Sequence, residues 1–213
     1  MKDIQAIRGA AFIRQLVAEG EHDRQDFKYL ISDARKIARS ISAFANNKGG
    51  RLIIGVKDNG VIAGVRNEED VYVVEQAAER YCTPSQTIDF KAYKVEGLHV
   101  IIAEIPQAKK RPVMVDEGEG KFKAYYRVAD ENIAAHPLMV RAWQIEADNL
   151  MGPLDERHFA LTALLSQKSL LDERQIALAL HLSQSTADAL IARLAAAGVL
   201  SFHYNGSRFL FGV

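Results

Sequence analysis

The stretch from Asp26 to Val65, DFKYLISDARKIARSISAFANNKGGRLIIGVKDNGVIAGV, constrains the fold more than any other part of the chain. Ala34, Ile37, Ala38, Ile41, Phe44 and Ala45 recur at helical spacing and predict an amphipathic helix, capped by Ser32 or Asp33. Asn46-Asn47-Lys48-Gly49-Gly50 stops it. Leu52-Ile53-Ile54-Gly55-Val56 is apolar without alternation, which predicts a central strand buried on both faces. Asp58-Asn59-Gly60 then reads as a hairpin turn, because Asn-Gly accepts positive φ at both positions, and Val61 to Val65 returns.

The flanking segments extend this pattern. Residues from about Asp3 to Ala18 suit an amphipathic helix, with Ile4, Ile7, Ala11, Leu16 and Val17 on one stripe and Gly20 ending it. Glu21 to Lys28 is charged, with Phe27 and Leu30 directed inward. Asn67 is expected to cap a helix through Tyr81, with Val71, Val74, Ala78 and Tyr81 inward. Ile88, Phe90 and Ala92 alternate as a strand, and Glu96-Gly97 turns it into a second buried strand, Leu98 to Ile105. A basic loop, Lys109-Lys110-Arg111-Pro112, leads to a hairpin of Val113 to Val115 and Phe122 to Val128 around an acidic turn, Asp116-Glu117-Gly118-Glu119-Gly120. A helix follows from about Pro137 to Asn149. Met151-Gly152-Pro153 is the expected break between two domains, 1–150 and 154–213.

Composition limits the function classes. Of 213 residues, 27 are Lys or Arg and 27 Asp or Glu, so the formal net charge is zero. A nucleic-acid binder often carries a basic excess; here any basic surface must come from clustering. Cys82 is the only cysteine, which excludes an intrachain disulfide and a multi-cysteine metal site and suits a reducing cytoplasm. Its surroundings, Tyr81-Cys82-Thr83-Pro84, supply no base for a nucleophile, and a small buried residue at a helix end is the expectation. MKDIQAIRGA lacks the apolar core of a signal peptide, and no apolar run approaches the ~20 residues of a membrane span. The expectation is a soluble cytoplasmic protein with no membrane partner.

Beyond residue 153 the pattern changes to helix, helix, tight turn, helix and a two-stranded hairpin. His158 to Ser166 is one helix; Asp172 caps Glu173 to Leu180; Ser183 caps Gln184 to Ala197, which Gly198 closes. Val199 to Phe202 and Phe209 to Phe211 are short strands around Tyr204-Asn205-Gly206-Ser207. DERQIALALHLSQSTADALIARLAAAGVL resembles the winged helix-turn-helix family, with Leu182 filling the turn and Leu190, Ile191, Leu194 and Val199 as core anchors. In a DNA-reading version, Gln184, Ser185 and Thr186 reach base edges or phosphates, and Arg193 and Arg208 contact the backbone. The helix also carries Asp188, several alanines and one Arg, so dimerisation or protein binding is the competing reading.

In the N-terminal domain, Gly49-Gly50 is followed by no Lys-Ser/Thr, so a conventional ATP site is not expected. His22, His99 and His136 show no metal-ligand spacing. Two groups of residues carry possible chemistry. Lys28, Arg51, Lys57, Lys109, Lys110, Arg111 and Arg127 could track a phosphate backbone or form solvated charged loops. Glu21, Asp26 and Asp58 form a carboxylate set: Asp26 and Lys28, two apart, share a strand face, and Asp58 ends the central strand near the same edge. Three carboxylates can hold one or two divalent cations for phosphodiester cleavage, with Lys28 stabilising transition-state charge; they can equally be solvated or capping residues.

EHDRQDFK, followed by ISAFANNKGGRLIIGVKDNGVIAGV, resembles the AlbA_2 domain, also called the Schlafen AlbA_2 or divergent AAA-4 domain. KKRPVMVDEGEGKFKAYYRVADENIAA is similar to that family's basic Arg-Pro loop and Tyr-x-Arg hairpin. The resemblance covers about residues 15 to 145. It implies an α+β fold, a mixed sheet with flanking helices, followed here by the small winged helix. It implies DNA binding, often in proteins labelled transcriptional regulators or helicase-related. In Schlafen nucleases the same fold cleaves RNA with three acidic residues, which by motif position fall on Glu21, Asp26 and Asp58. The chain departs from the family at Asp26, where Glu is usual, and at Ala129-Asp130, where Gly-Ser is usual, adding a negative charge beside the hairpin. The resulting expectation is a nucleic-acid-binding protein, first a DNA-binding transcriptional regulator and a homodimer, with RNA as the other partner. It needs no cofactor, and Mg or Mn enters only in the nuclease alternative.

Overall fold

The computed structural model describes residues 6–65, 69–168 and 170–213. It divides into two compact units: Met1–Lys109 with Val113–Ala134, and Lys110–Pro112 with Ala135–Val213. This division differs from the expected break at Met151-Gly152-Pro153. The helix Pro137–Ala147 belongs to the second unit because Leu138 sits in that unit's apolar core.

The first unit is an α+β layered structure. A five-stranded mixed sheet runs in the order β1-β5-β6-β3-β2, from β1 (Ile7–Arg8), β2 (Gln25–Lys28), β3 (Gly50–Ile54), β5 (Asp89–Val95) and β6 (Leu98–Ile105). β2 is parallel to β3, with Asp26 opposite Leu52 and Lys28 opposite Ile54. β3 is antiparallel to β6. A four-stranded antiparallel sheet is ordered β4-β7-β8-β9, from β4 (Cys82–Thr83), β7 (Met114–Asp116), β8 (Phe122–Val128) and β9 (Glu131–Ala134). Neither β4 nor β9 is evident from the sequence, since two to four residues carry no readable period.

Two helices cover the five-stranded sheet. On one face, Ile13 and Leu16 of α1 (Ala10–Glu19) pack with Phe27, Ile53, Val100 and Ile102. On the other, Ile37, Ile41 and Phe44 of α2 (Ala34–Asn46) pack with Leu52, Ile54, Ile101 and Ala103. The apolar run of β3 is thus buried on both faces, as its lack of alternation requires. The other side of α2 meets Val113, Val115 and Tyr125 of the four-stranded sheet. Asn46 explains the polar residue at the end of the Ala-Phe-Ala-Asn run. It is fully buried, its Nδ2 donates to the carbonyls of Val113 (2.9 Å) and Tyr125 (3.1 Å), and its Oδ1 accepts from Val113 N–H at 2.7 Å. Gly49-Gly50 is a structural hinge. Gly49 has φ +72°, and a Cβ on Gly50 would lie 2.3 Å from the Phe44 ring.

Local differences from the sequence reading have local causes. The described chain begins the expected Asp3–Ala18 helix only at Ala10, because Ile7 and Arg8 pair with β5; Ile4 lies outside the described residues. Leu30 is 52% exposed, since β2 ends at Lys28. At Asp58-Asn59-Gly60 only Gly60 has positive φ, and the return is a single bridge from Val56 to Ile62. The mirror-image turn, with both residues at positive φ, is Glu96-Gly97. The Asn67 cap lies outside the described residues; α3 (Glu69–Gln76) continues into a π-helical turn, Ala77–Tyr81. Cys82 is buried at the start of β4, and desolvation pushes its thiol up to about 12, which suits packing and not nucleophilic chemistry.

The second unit contains α4 (Pro137–Ala147), α5 (Glu156–Gln167), α6 (Glu173–Ala179), α7 (Gln184–Ala196) and an antiparallel hairpin of β10 (Ser201–Tyr204) and β11 (Phe209–Gly212). Asp172 and Ser183 cap α6 and α7 as expected. Leu161, Leu165, Ile176, Leu190, Ile191, Leu194 and Phe211 form its core. Val199 is not an anchor: it is 38% exposed, and Leu200, 5% exposed, takes the inward place. The left-handed Gly198 turns the chain so that Val199 N–H and Leu200 N–H both meet the Leu194 carbonyl. No helix among the described residues is long and apolar enough to cross a membrane.

Candidate functional site

A polar cleft of about 370 Å³ opens in the first unit, built by four parts of the chain. α2 contributes Lys36, Arg39 and Ser40. The segment into β2 contributes Glu21, Asp26 and Lys28, and the turn after β3 contributes Asp58. The β8–β9 hairpin contributes Arg127, Asp130 and Asn132. Helical spacing explains the α2 contribution: Ile37 and Ile41 face the core, so Lys36 and Arg39 fall on the opposite, polar side. Asp33 fixes the helix start by accepting from the N–H groups of Arg35 and Lys36.

The floor of the cleft is a buried ion network. Asp26 is 4% exposed and Arg127 2%. Lys28 Nζ lies 2.8 Å from Asp26 Oδ2, and Arg127 Nη2 lies 3.4 Å from Asp26 Oδ1. Arg127 also donates to Asn132 Oδ1 at 2.9 Å and to the carbonyls of Gln25 (3.2 Å) and His22 (3.3 Å), with its guanidinium over the Phe44 ring. Asn132 in turn donates to Ser40 Oγ at 2.9 Å. A desolvated Asp is tolerated here because two cations and a hydroxyl surround it. Glu21 accepts from the Phe27 N–H at 2.8 Å. Burial raises its carboxyl above the ordinary value and the neighbouring Asp26 adds to the rise, while that N–H and Lys28 oppose it.

The wall formed by α2 is arranged differently. Arg39 Nε donates to Glu117 Oε1 at 2.8 Å and its Nη2 pairs with Glu117 Oε2. Tyr125 Oη donates to the same Glu117 at 2.6 Å, and the Arg39 guanidinium sits over the Tyr125 ring. The bond from Arg39 holds Glu117 below the usual carboxylate range, and burial with the Glu117 bond raises Tyr125 to about 12. The Lys36 ammonium and the carboxylates of Asp58 and Asp130 make no ion pair or hydrogen bond among the described residues.

The structure therefore gathers some of the expected residues and separates others. Glu21, Asp26, Lys28, Asp58 and Arg127 share the cleft, although Asp58 and Arg127 are both far in sequence from the other three. Arg127 is not a surface phosphate contact; all its donors point inward. Arg51 lies in the ladder opposite Gln25 and Glu104, and Lys57 sits over the Tyr29 ring; neither lines the cleft. Lys109 and Lys110 are exposed. Arg111 is not free: it pairs with Glu146 at 2.6 Å and lies over Trp143. In the second unit, Gln184 bonds Asp188, and Ser185 and Thr186 cluster with the Ser183 cap. Arg193 donates to the Pro153 carbonyl, and Arg208 pairs with Asp172. Lys36, Arg39, Ser40 and Asn132 are absent from the sequence reading. The signal for the first three is the polar face of the α2 stripe.

Among the described residues no three His, Cys, Asp or Glu side chains are gathered so as to hold a metal ion. The expected convergence of Glu21, Asp26 and Asp58 extends only to a common cleft. Asp26 has both oxygens engaged by Lys28 and Arg127, and as folded the set does not fit a divalent cation.

The family model for Schlafen, AlbA_2 matches residues 21–136, more than half of the chain. The chain belongs to the Schlafen AlbA_2 family. The matched span begins at Glu21 and contains every residue of the AlbA_2 cleft. Among curated proteins, no sequence matches. Several solved structures are similar, two of them as follows. One is the DIP2311 protein from Corynebacterium diphtheriae, 18% identical with a TM-score of 0.45, covering 74% of this chain and 33% of that one. This chain thus spans about a third of that protein's length. The other is the N-terminal domain of a RecG-related protein from Nitrosomonas europaea, 17% identical with a TM-score of 0.44, covering 62% of this chain and 97% of that one.

Proposed function

We propose that the chain binds nucleic acid, with the AlbA_2 cleft receiving a backbone phosphate, and that it acts as a DNA-binding transcriptional regulator. The observation that carries this reading is the α2 wall, where a Lys36 ammonium with no partner among the described residues lines the same cleft as Arg39 and Lys28. Cations with unsatisfied donors facing a polar cleft suit phosphate oxygens. The cleft holds four cations (Lys28, Lys36, Arg39, Arg127) against four carboxylates (Glu21, Asp26, Asp58, Asp130), so it favours one or two placed phosphates over indiscriminate polyanion binding. In this reading the second unit is a winged helix-turn-helix that presents Gln184 and Ser185 at the start of α7. With Arg193 and Arg208 engaged internally, one copy makes few phosphate contacts, and two-fold pairing doubles them. Exposed Phe159 and Leu178 favour a role for this unit in pairing two copies. Anisotropy of labelled duplex DNA, single-stranded DNA and RNA with the full chain tests the proposal. Binding should weaken with a log–log salt slope of about −1 to −3, the value for a few neutralised phosphates. Salt-independent binding, or none at low ionic strength, removes it and favours a protein-interaction module.

A second reading, phosphodiester cleavage, is favoured by the shared cleft of Glu21, Asp26, Lys28 and Asp58. Because the carboxylates do not fit a divalent ion as they stand, no step is derived through one. Incubation with structured RNA and single-stranded DNA in Mn²⁺ or EDTA separates the readings. Metal-dependent cleavage that disappears in Asp58→Ala would replace the binding-only proposal.

A further inference from the structure

We propose that Glu117 and Tyr125 are positioning residues that hold Arg39 as the phosphate-binding residue of the cleft. This rests on the reading above that the cleft takes a nucleic-acid phosphate. A guanidinium has five N–H donors in a planar fork. In Arg39, Nε and one N–H of Nη2 are taken by the two oxygens of Glu117. That leaves both N–H groups of Nη1 and the outer one of Nη2 without an acceptor among the described residues, on a side chain that lines the cleft. The outer fork is the edge that matches two phosphate oxygens.

Glu117 is itself fixed. It lies just after β7, its side chain is only 12% exposed, and it accepts the Tyr125 hydroxyl at 2.6 Å while the Tyr125 ring lies beneath the Arg39 guanidinium at 5.8 Å. Two contacts on one edge and a ring below restrict the guanidinium to one plane. On charge alone the arrangement makes little sense, because the Glu117 carboxylate cancels the Arg39 charge beside a site meant for an anion. Orientation is what it supplies: the ordering of a long, rotamer-rich side chain occurs on folding and is not charged against binding. Lys36, three residues before Arg39 on the same helix, supplies the net positive charge.

Charge and orientation predict opposite signs for one substitution. Glu117→Gln raises the net charge by one, so a purely electrostatic role for this corner predicts tighter binding. Positioning predicts weaker binding, by about three- to tenfold, the net scale of one ordinary hydrogen bond. The salt slope should also shrink by about 0.7, one lost single-strand phosphate contact. The measurement is anisotropy of a labelled single-stranded oligonucleotide with the full chain, with melting curves for each variant. Lys36→Gln, which touches neither Glu117 nor Tyr125, is the control. If it leaves binding unchanged, the cleft reading fails and this proposal fails with it. If it weakens binding while Glu117→Gln tightens or preserves it, the cleft reading stands and the positioning role is overturned. Should Glu117→Gln not fold, Tyr125→Phe keeps the ring and the charge and removes only the hydroxyl. It should weaken binding in the same direction, and unchanged affinity overturns the proposal.

Discussion

Replacing Arg127 separates a buried structural cation from a surface phosphate contact. Arg127→Met keeps an unbranched stem of similar reach under Phe44 and deletes the guanidinium. Four acceptors lose a donor: Asn132 Oδ1, Asp26 Oδ1, and the Gln25 and His22 carbonyls, which each keep the backbone N–H of the other. Breaking a buried ion pair by removing one partner costs about 3–5 kcal/mol. Lys28 remains 2.8 Å from the other Asp26 oxygen, so part of the carboxylate's charge stays compensated and the lower end, about 3 kcal/mol, applies. In a chain of this size each kcal/mol shifts Tm by roughly 2–4 °C, so Arg127→Met should melt roughly 6–12 °C below the parent. Far-UV ellipticity is the suitable probe, because Trp143, the only tryptophan, lies in the other unit and its emission follows that unit instead. Asp26→Asn added to Arg127→Met should recover part of the loss, since the incompletely paired carboxylate is gone. A single variant that melts within about 2 °C of the parent and binds nucleic acid more weakly would refute this argument and return Arg127 to the surface role that its place in a Tyr-x-Arg hairpin suggests.

Three further outcomes are expected. Asn46→Ala leaves the buried Val113 N–H without its acceptor, a loss of about 1–3 kcal/mol from that group alone, visible as a lower urea midpoint. Gly50→Ala places a methyl 2.3 Å from the Phe44 ring and should cost about 1–3 kcal/mol by overpacking; an unchanged midpoint would mean that Phe44 moves freely. Glu21 has a folded-state carboxyl raised above its unfolded value, chiefly by burial. Stability therefore falls as pH rises from about 4.5 through the folded pKa, and above that the ionised group disfavours folding. Glu21→Gln should accordingly be more stable than the parent at neutral pH and lose that advantage on acidification below 4.5, measured by melting across pH.

Much of the architecture is legible along the chain because it rests on near neighbours. The helical stripe from Ala34 to Ala45, the unbroken apolar run of β3, the Glu96-Gly97 turn and the caps at Asp33, Asp172 and Ser183 all express periodicity or local hydrogen bonding. The carboxylates and Lys28 were legible as a set through spacing and the resemblance to AlbA_2 domains. Other features depend on partners distant in sequence. Val199 and Leu200 are both apolar, and only the turn at Gly198 decides which enters the core. The short strands β4 and β9 exist because β7 and β8 offer them a ladder.

The same distinction holds for the cleft. By itself the sequence determined which residues carry charge, which helix face is polar and which family the pattern resembles. Tertiary structure alone decided what each charge does. Arg127 and Arg111 look like phosphate contacts in a list of basic residues, yet both are engaged, Arg127 under Phe44 and Arg111 against Glu146. Lys36 and Arg39, unremarked on a helix surface, line the cleft because α2 is held between two sheets and presents that face to β2 and the β8–β9 hairpin. A cation's role is set by whether its donors are already satisfied. Here the acceptors for Arg39 and Arg127 lie 78 and between 5 and 105 residues away in sequence, so only the folded chain brings them together.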